Sequence, residues 1–558
     1  MKTDPESNVK SIPRLETLLV LVCCTVASLT AILWSWRNGA MLNYGDAVAH
    51  LHIARRVFDA HQPRLDLLGS VWLPLPHILL LPFVQVYSWW ANGFAGVIPS
   101  ALAYLAACIG IYRLARIWLP PSSAALTLAF YATNPNLLYL QTTAMTEPLF
   151  LCEMVWTTLW LVEWRSNING DPASTNRRQT LIAIALIAAV FTRYDGWIMA
   201  FLAWTAMGLV LMRRGRLRSR AFWIASAFVV AAPIAWFIYN QAAFGDWLDF
   251  ARGPYSARAI EIRTATPGYP PHPGWHNPWV SFLFFIKCAE LDAAALAWGT
   301  WLLVLSLAGA AWAWVNPRNR HVAWTLLLFL PVPFYAYSIA WGSVPIFMPV
   351  WWPHSWYNLR YGMELLPALA LCLGFTAHAV FDLFGPRIYK PRTFYCVATI
   401  LFAAVGINAS LMLREHPLVY VEGSKNIHAR LPIYSQIPPV LRAYLATHPN
   451  AIILMDTSTY PEIVTLTGIP LRQTINESDL ATYTAALAAP ASSADLVLAF
   501  DGDAIDTAVK ANHSGLTPLQ HFSAPNQPSA TLYVSGTPHS SSVIKPPTTV
   551  IASLKATQ

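Results

Sequence analysis

The chain has 558 residues, 56% of them hydrophobic and 11% charged, and a mean hydropathy of +0.42. A soluble domain carries roughly 25% charged residues, so this composition excludes an ordinary water-soluble enzyme and points to an all-α polytopic membrane protein. The formal charge of +8 is no sign of a nucleic-acid partner, because the basic residues are sorted by loop.

Apolar stretches of the ~20 residues needed to cross a ~30 Å hydrocarbon core recur along the first three quarters of the chain. About eleven spans are expected, near residues 15–36, 96–118, 121–135, 147–164, 179–193, 195–212, 221–239, 291–315, 321–341, 364–384 and 394–413. The two runs flanking Thr192 are short, which makes one of them a candidate re-entrant segment. Lys10 and Arg14 precede the first run, which continues to Trp34 without a small-x-small cleavage site and so reads as a signal anchor. Cys23, Cys24, Cys108, Cys152 and Cys372 lie within or beside apolar runs and read as packing residues rather than disulfides or metal ligands.

Arg113 and Arg116, Arg165 with Arg177 and Arg178, the Arg213 to Arg220 cluster, Arg318 and Arg320, and Arg387 with Lys390 and Arg392 fall in alternate short loops. The positive-inside rule makes those loops cytoplasmic. The N-terminus, with Lys2, Lys10 and Arg14, is then inside as well, and an odd number of spans leaves the C-terminal part outside.

Three external segments are too long to be turns. The first, from residue 37 to about 95, begins with Asp46 in Tyr44-Gly45-Asp46-Ala47-Val48-Ala49-His50. Ala49, Ile53 and Val57 then recur at helical spacing beside Arg55 and Arg56, the pattern of an amphipathic helix lying on the membrane. Val71 to His77 is apolar but interrupted by prolines and should dip into the interface without spanning. The second segment, about 240 to 290, carries Asp246, Arg252, Arg258, Glu261 and Arg263 and could cover a site. The third, about 341 to 363, is dense in tryptophan and tyrosine, which mark the lipid interface and also stack on sugar rings and isoprenoids.

After about residue 414 polar residues and prolines increase. β-prone runs at 451–455, 495–500 and 531–534, with helical stretches between, read as a small external α/β domain over 414–535. The remaining residues, 536–558, are rich in Ser, Thr and Pro and read as disordered. No internal repeat is visible, which weighs against a transporter built from repeated halves.

Asp46 and His50 are four residues apart on one helix face, so the imidazole could orient a carboxylate acting as general base; the structural alternative is a helix N-cap. His52 falls on another face, which argues against a paired metal site. Glu147, in Thr146-Glu147-Pro148-Leu149, is a second acidic residue at an external helix start, where a carboxylate also suits the helix dipole. Asn134 to Gln141, just before it, supplies amides and hydroxyls suited to a sugar. Arg193, Tyr194 and Asp195 sit at another external junction, where the arginine either pairs with Asp195 or meets a phosphate. Arg360 stands among Tyr357, Asn358 and Tyr361; its fork fits a lipid phosphate bidentately, and the alternative is snorkelling at a helix end.

Together, the acidic residue after the first span, the Leu73-Pro74-Leu75-Pro76 segment, Thr146-Glu147-Pro148-Leu149 and Thr192-Arg193-Tyr194-Asp195-Gly196 resemble the GT-C membrane glycosyltransferases. The resemblance covers roughly the first 370 residues and runs toward the branch of protein O-mannosyltransferases and the bacterial lipid A aminoarabinose transferase. It implies a bacterial inner-membrane enzyme that takes a sugar from a polyprenyl phosphate on the external face and inverts the anomeric centre. The acceptor would be a lipid, glycan or protein. Asp46 then matches the first-loop catalytic acid and Glu147 the second acidic position. Two departures stand out: Asp46 is followed by Ala47 where mannosyltransferases carry an Asp-Glu pair, and no lysine stands beside Leu73-Pro74. No organic cofactor is implied, and a divalent metal is compatible with the reaction though no spacing demands one. The rival readings are a flippase or transporter of a polar lipid, and a non-catalytic scaffold.

Overall fold

The structure, a computed structural model, describes residues 12–61, 63–69, 71–264, 270–317, 319, 321–383 and 391–536. The tail expected to be disordered lies, after its first residue, outside the described residues. So do Lys2, Lys10, Arg318, Arg320, Arg387 and Lys390. The chain forms two compact units. The first comprises Met1–Asn43, Gly69–Leu80 and Gly93–Ser424; the second comprises Tyr44–Leu68, Leu81–Asn92 and Lys425–Gln558.

The first unit is a helix bundle, and each of the eleven expected runs falls on a helix. Seven stretches among the described residues are long and apolar enough to cross a membrane: Arg14–Arg37, Phe94–Arg116, Asp195–Arg213, Arg220–Phe244, Val322–Trp341, Leu359–Asp382 and Tyr395–Tyr434. The runs on both sides of Thr192 become helices of 21 and 19 residues, the second being one of these seven. One boundary is corrected. The run expected at 291–315 starts at Gly299, because a break separates it from a helix Pro278–Ala293 that the sequence places partly in an external loop. Lys287, Glu290 and Asp292 interrupt the apolar pattern there and hide the helix.

The bundle is held by close packing, since lipid offers no hydrophobic drive for helices to associate. A Cβ added at Gly309 would overlap the Cys372 carbonyl, and one at Gly374 would overlap the Thr127 hydroxyl. Among the described residues, three of the arginine-rich loops meet at one end of this unit. Glu16 accepts from Tyr112 Oη at 2.8 Å and from Arg116 Nε at 3.1 Å. Glu163 pairs with Arg113 at 3.4 Å and Arg178 at 3.3 Å, and Arg214 donates to Asn169 at 2.6 Å. Glu147 and Glu163 belong to one 20-residue helix, Glu147–Ser166. At 1.5 Å per residue, Glu147 is therefore toward the opposite end.

The second unit contains a five-stranded sheet of order β2-β1-β3-β5-β4, with β1 Ile453–Leu454, β2 Thr474–Ile475, β3 Leu496–Phe500, β4 Leu516–Phe522 and β5 Ala530–Ser535. β1 runs parallel to β2 and β3, while β5 pairs antiparallel with β3 and β4. Leu454, Ile475, Val497, Ala499, Ile505 and Val509 form its core. The Asp46 helix, Gly45–Asp59, belongs to this unit and does not present a free apolar face to the membrane. Ala47, Val48, Leu51 and Ala54 are fully buried, and the helix packs on the Leu65–Leu68 and Leu471–Gln473 turns. Asp59 anchors it, accepting from Arg55 at 2.9 Å and Arg472 at 2.8 Å.

Candidate active site

Each unit carries its own candidate groups. In the first, Glu147 opens its helix, followed by Pro148, and Thr146 at the cap position makes no side-chain cap bond. Arg193 joins two helices with extended backbone, φ −149° and ψ 155°. Its guanidinium lies in the bundle, with Nη1 donating to Thr146 Oγ1 at 3.0 Å and Glu147 Oε1 at 3.2 Å. Nη2 reaches Tyr335 Oη at 2.7 Å and Glu364 Oε1 at 2.9 Å, while Nε meets Asp195 at 3.4 Å.

Arg360 follows a left-handed Asn358 (φ 58°) into the 3-10 turn Leu359–Leu365. Its Nε is 3.1 Å from the same Glu147 Oε1, and its Nη1 is 3.6 Å from Glu422 Oε1. At 7% exposure it is buried rather than extended to the interface, so snorkelling does not describe it. The Tyr361 ring lies under both guanidiniums, 4.8 Å from Arg360 and 5.2 Å from Arg193, and stacks on Tyr335 at 5.0 Å.

Glu147, Arg193, Asp195, Arg360 and Tyr361 are thus brought together. Tyr194 is turned elsewhere, donating to the Val71 carbonyl at 2.8 Å and stacking on Phe250. Tyr357 pairs through its backbone with Phe347 and is 41% exposed. Asn358 donates its amide to the Pro345 carbonyl at 2.9 Å. Glu364, Tyr335 and Glu422 complete the network without having been singled out in the sequence. The only local signal for Glu364 is its place one turn beyond Arg360; for Glu422 it is an acidic residue just after the last apolar run.

In the second unit, Asp46 is half-buried in the first turn of its helix. The cap position belongs to Tyr44, which makes no side-chain cap bond, and Asp46 in the first turn carries a charge that suits the helix dipole. His50, one turn on, is 2% exposed. A Cβ at neighbouring Gly45 would stand 3.2 Å from Glu462 Oε1 and 3.8 Å from Arg430 Nη1. Burial pushes the Glu462 carboxyl up, Arg430 opposes this, and the charge of Asp46 adds to the rise. His52, against Trp90 at 5.4 Å, is pushed down to about 3 by burial and by Arg56. Among the described residues no three His, Cys, Asp or Glu side chains are grouped to hold a metal ion, and all seven cysteines are free thiols.

No protein-family model and no curated protein matches the chain. Solved structures do. ArnT from Cupriavidus metallidurans bound to undecaprenyl phosphate aligns with a TM-score of 0.53 at 15% identity, over 91% of this chain and 97% of that one. The apo state of the same protein aligns with a TM-score of 0.51 at 13% identity over the same shares. The fold is therefore ArnT-like along nearly its whole length.

Proposed function

We propose that the chain is an inverting membrane glycosyltransferase that moves a sugar from a polyprenyl phosphate to an acceptor hydroxyl on the external face. The observation that carries this reading is the fold likeness, over 91% of the chain, to a protein solved with undecaprenyl phosphate bound. The arginine-rich end of the bundle reads as cytoplasmic by the positive-inside rule, which assigns the Glu147 end to the outside.

In the proposed reaction Asp46 accepts the acceptor's hydroxyl proton as that oxygen bonds to C1. The C1–O bond to phosphate breaks with inversion, and polyprenyl phosphate leaves with the bonding electrons. Arg360, set by Arg193 and their shared carboxylate, neutralises the departing phosphate. Phosphate is already a good leaving group, so positioning and charge neutralisation supply most of the acceleration. The reaction needs no organic cofactor and is compatible with a divalent metal.

A transporter would carry ionisable groups deep within its spans. Here Glu147, Asp195 and Glu364 each lie within two turns of a helix start, which favours chemistry at one face. The test is to incubate membranes containing the protein with radiolabelled polyprenyl-phosphate sugars and follow the label. Transfer to a lipid, glycan or protein pool that is lost in Asp46→Asn is expected. No transfer from any such donor would overturn the reading.

A further inference from the structure

Glu422 lies on the helix Leu418–Tyr434, beyond the last apolar run, and is 1% exposed. Its two oxygens accept separate backbone amides: Oε1 from Asn358 N at 2.8 Å and Oε2 from Leu359 N at 2.8 Å. These amides open the turn that carries Arg360, and Oε1 is also 3.6 Å from Arg360 Nη1. The carboxylate therefore grips both the backbone and the side chain of one short segment. Its own helix is fixed in turn: Val419 N donates to Asn136 Oδ1 at 3.0 Å, and Tyr420 packs edge-on against Trp34 and Tyr139. Asn358, held left-handed and tied to the Pro345 carbonyl, is the point about which an unclamped turn would swing.

We propose that Glu422 is the positioning residue for Arg360, setting the guanidinium at the place and angle from which it meets the donor phosphate. The inference rests on the polyprenyl-phosphate reading given above. A carboxylate suits the task because each oxygen can accept a backbone N–H while the negative charge faces the guanidinium. A glutamine of the same length offers one acceptor oxygen and turns an amide N–H₂ toward a backbone N–H. Hydrogen bonds to charged groups are stronger than those between neutral ones, so the loss should be legible in donor binding.

The experiment measures binding of undecaprenyl phosphate and donor KM and kcat for the full-length protein, Glu422→Gln, Arg360→Ala and the double variant. Amide hydrogen exchange over residues 358–360 is measured on the same proteins. Glu422→Gln should weaken binding on the order of tenfold, raise KM more than it lowers kcat, and accelerate exchange at Asn358 and Leu359. In the Arg360→Ala background the same change should have little further effect on binding, since coupled residues are non-additive. A merely structural Glu422 would lower folded yield and leave the KM of the folded fraction unchanged, which overturns the proposal. Equal, additive losses in the two backgrounds overturn it as well. If Glu422→Gln fails to fold, Glu422→Asp is used, whose side chain is one methylene shorter and draws the carboxylate back from both amides; parent-like exchange and binding in that variant overturn the proposal. If the parent itself does not bind undecaprenyl phosphate, the donor reading falls, and unchanged exchange at residues 358–360 would show separately that the clamp is absent.

Discussion

The two units treat charge in opposite ways. In the first, two arginines are sunk among Glu147, Asp195, Glu364 and Glu422, all four carboxylates being 2% exposed or less. In the second, Asp46 is half-buried beside an Arg430–Glu462 pair whose arginine is 44% exposed. A buried network is costly to form and costly to break, so it fixes geometry. A carboxylate with access to water can take up and release protons during turnover. The contrast is one of burial: the first unit holds its charges in a closed network, and the second leaves Asp46 partly open to solvent.

The contrast is broken most directly at Asp46. Asp46→Asn should lower transfer by on the order of 10² to 10⁴ while thermal stability stays near the parent's. Unchanged turnover would leave Asp46 with a structural role in its helix. Arg193→Ala should behave in the reverse manner, because it strands Asp195 and Glu364 without their shared cation and leaves Glu147 with Arg360 alone. Breaking such a pair costs about 3 to 5 kcal/mol, so yield and melting temperature should fall; a stable variant would show that the network does not organise the bundle.

Arg360→Lys sharpens the comparison on a smaller scale. It keeps the charge but loses the fork that spans Glu147 and Glu422, so donor KM should rise clearly, and further in Arg360→Ala. Parent-like kinetics in the lysine variant would transfer the phosphate role to Arg193. The smallest effect is expected in the sheet domain. Glu477, accepting from Thr457 N at 3.0 Å and Oγ1 at 2.7 Å, is pushed up to about 7, from 4.5, by burial and then by Asp456. Its protonated form is the one the fold favours. The stability it contributes is whole below its unfolded pKa and is lost as pH rises through the folded value. Amide protection of β1 to β3 should therefore fall by on the order of 2 kcal/mol between about pH 5 and 8, and Glu477→Gln should flatten that slope. An equal slope in the variant would assign the dependence to other groups.

The helices are legible because twenty apolar residues in a row have few alternatives, and three of the five strands because 451–455, 495–500 and 531–534 are β-prone, whereas the two-residue β2 and the largely exposed β4 carry no such run. Pro278–Ala293 was obscured by its own charges, which serve interior contacts: Lys287 Nζ holds Glu290 Oε1 at 2.7 Å. The sequence of the Gly45–Asp59 helix suggests a membrane-facing surface because amphipathicity reports that a face is covered without saying by what. Arg193 and Arg360 were visible as cations beside aromatics, but their partners were not. Glu147 is 213 residues from Arg360, and Asn358 N bonds a carboxylate 64 residues away. Such pairings are decided by tertiary packing and leave no local periodicity.

The glycines at 309 and 374 carry a consequence for tolerance to mutation. Both serve the helix Leu366–Leu383, which continues directly from the turn bearing Arg360 and Glu364. A saturation scan would thus find a stripe of intolerance to alanine at sites with no ionisable group. Loss of activity there would be inherited through helix spacing, so a map of sensitive positions would extend well beyond the residues that meet substrate.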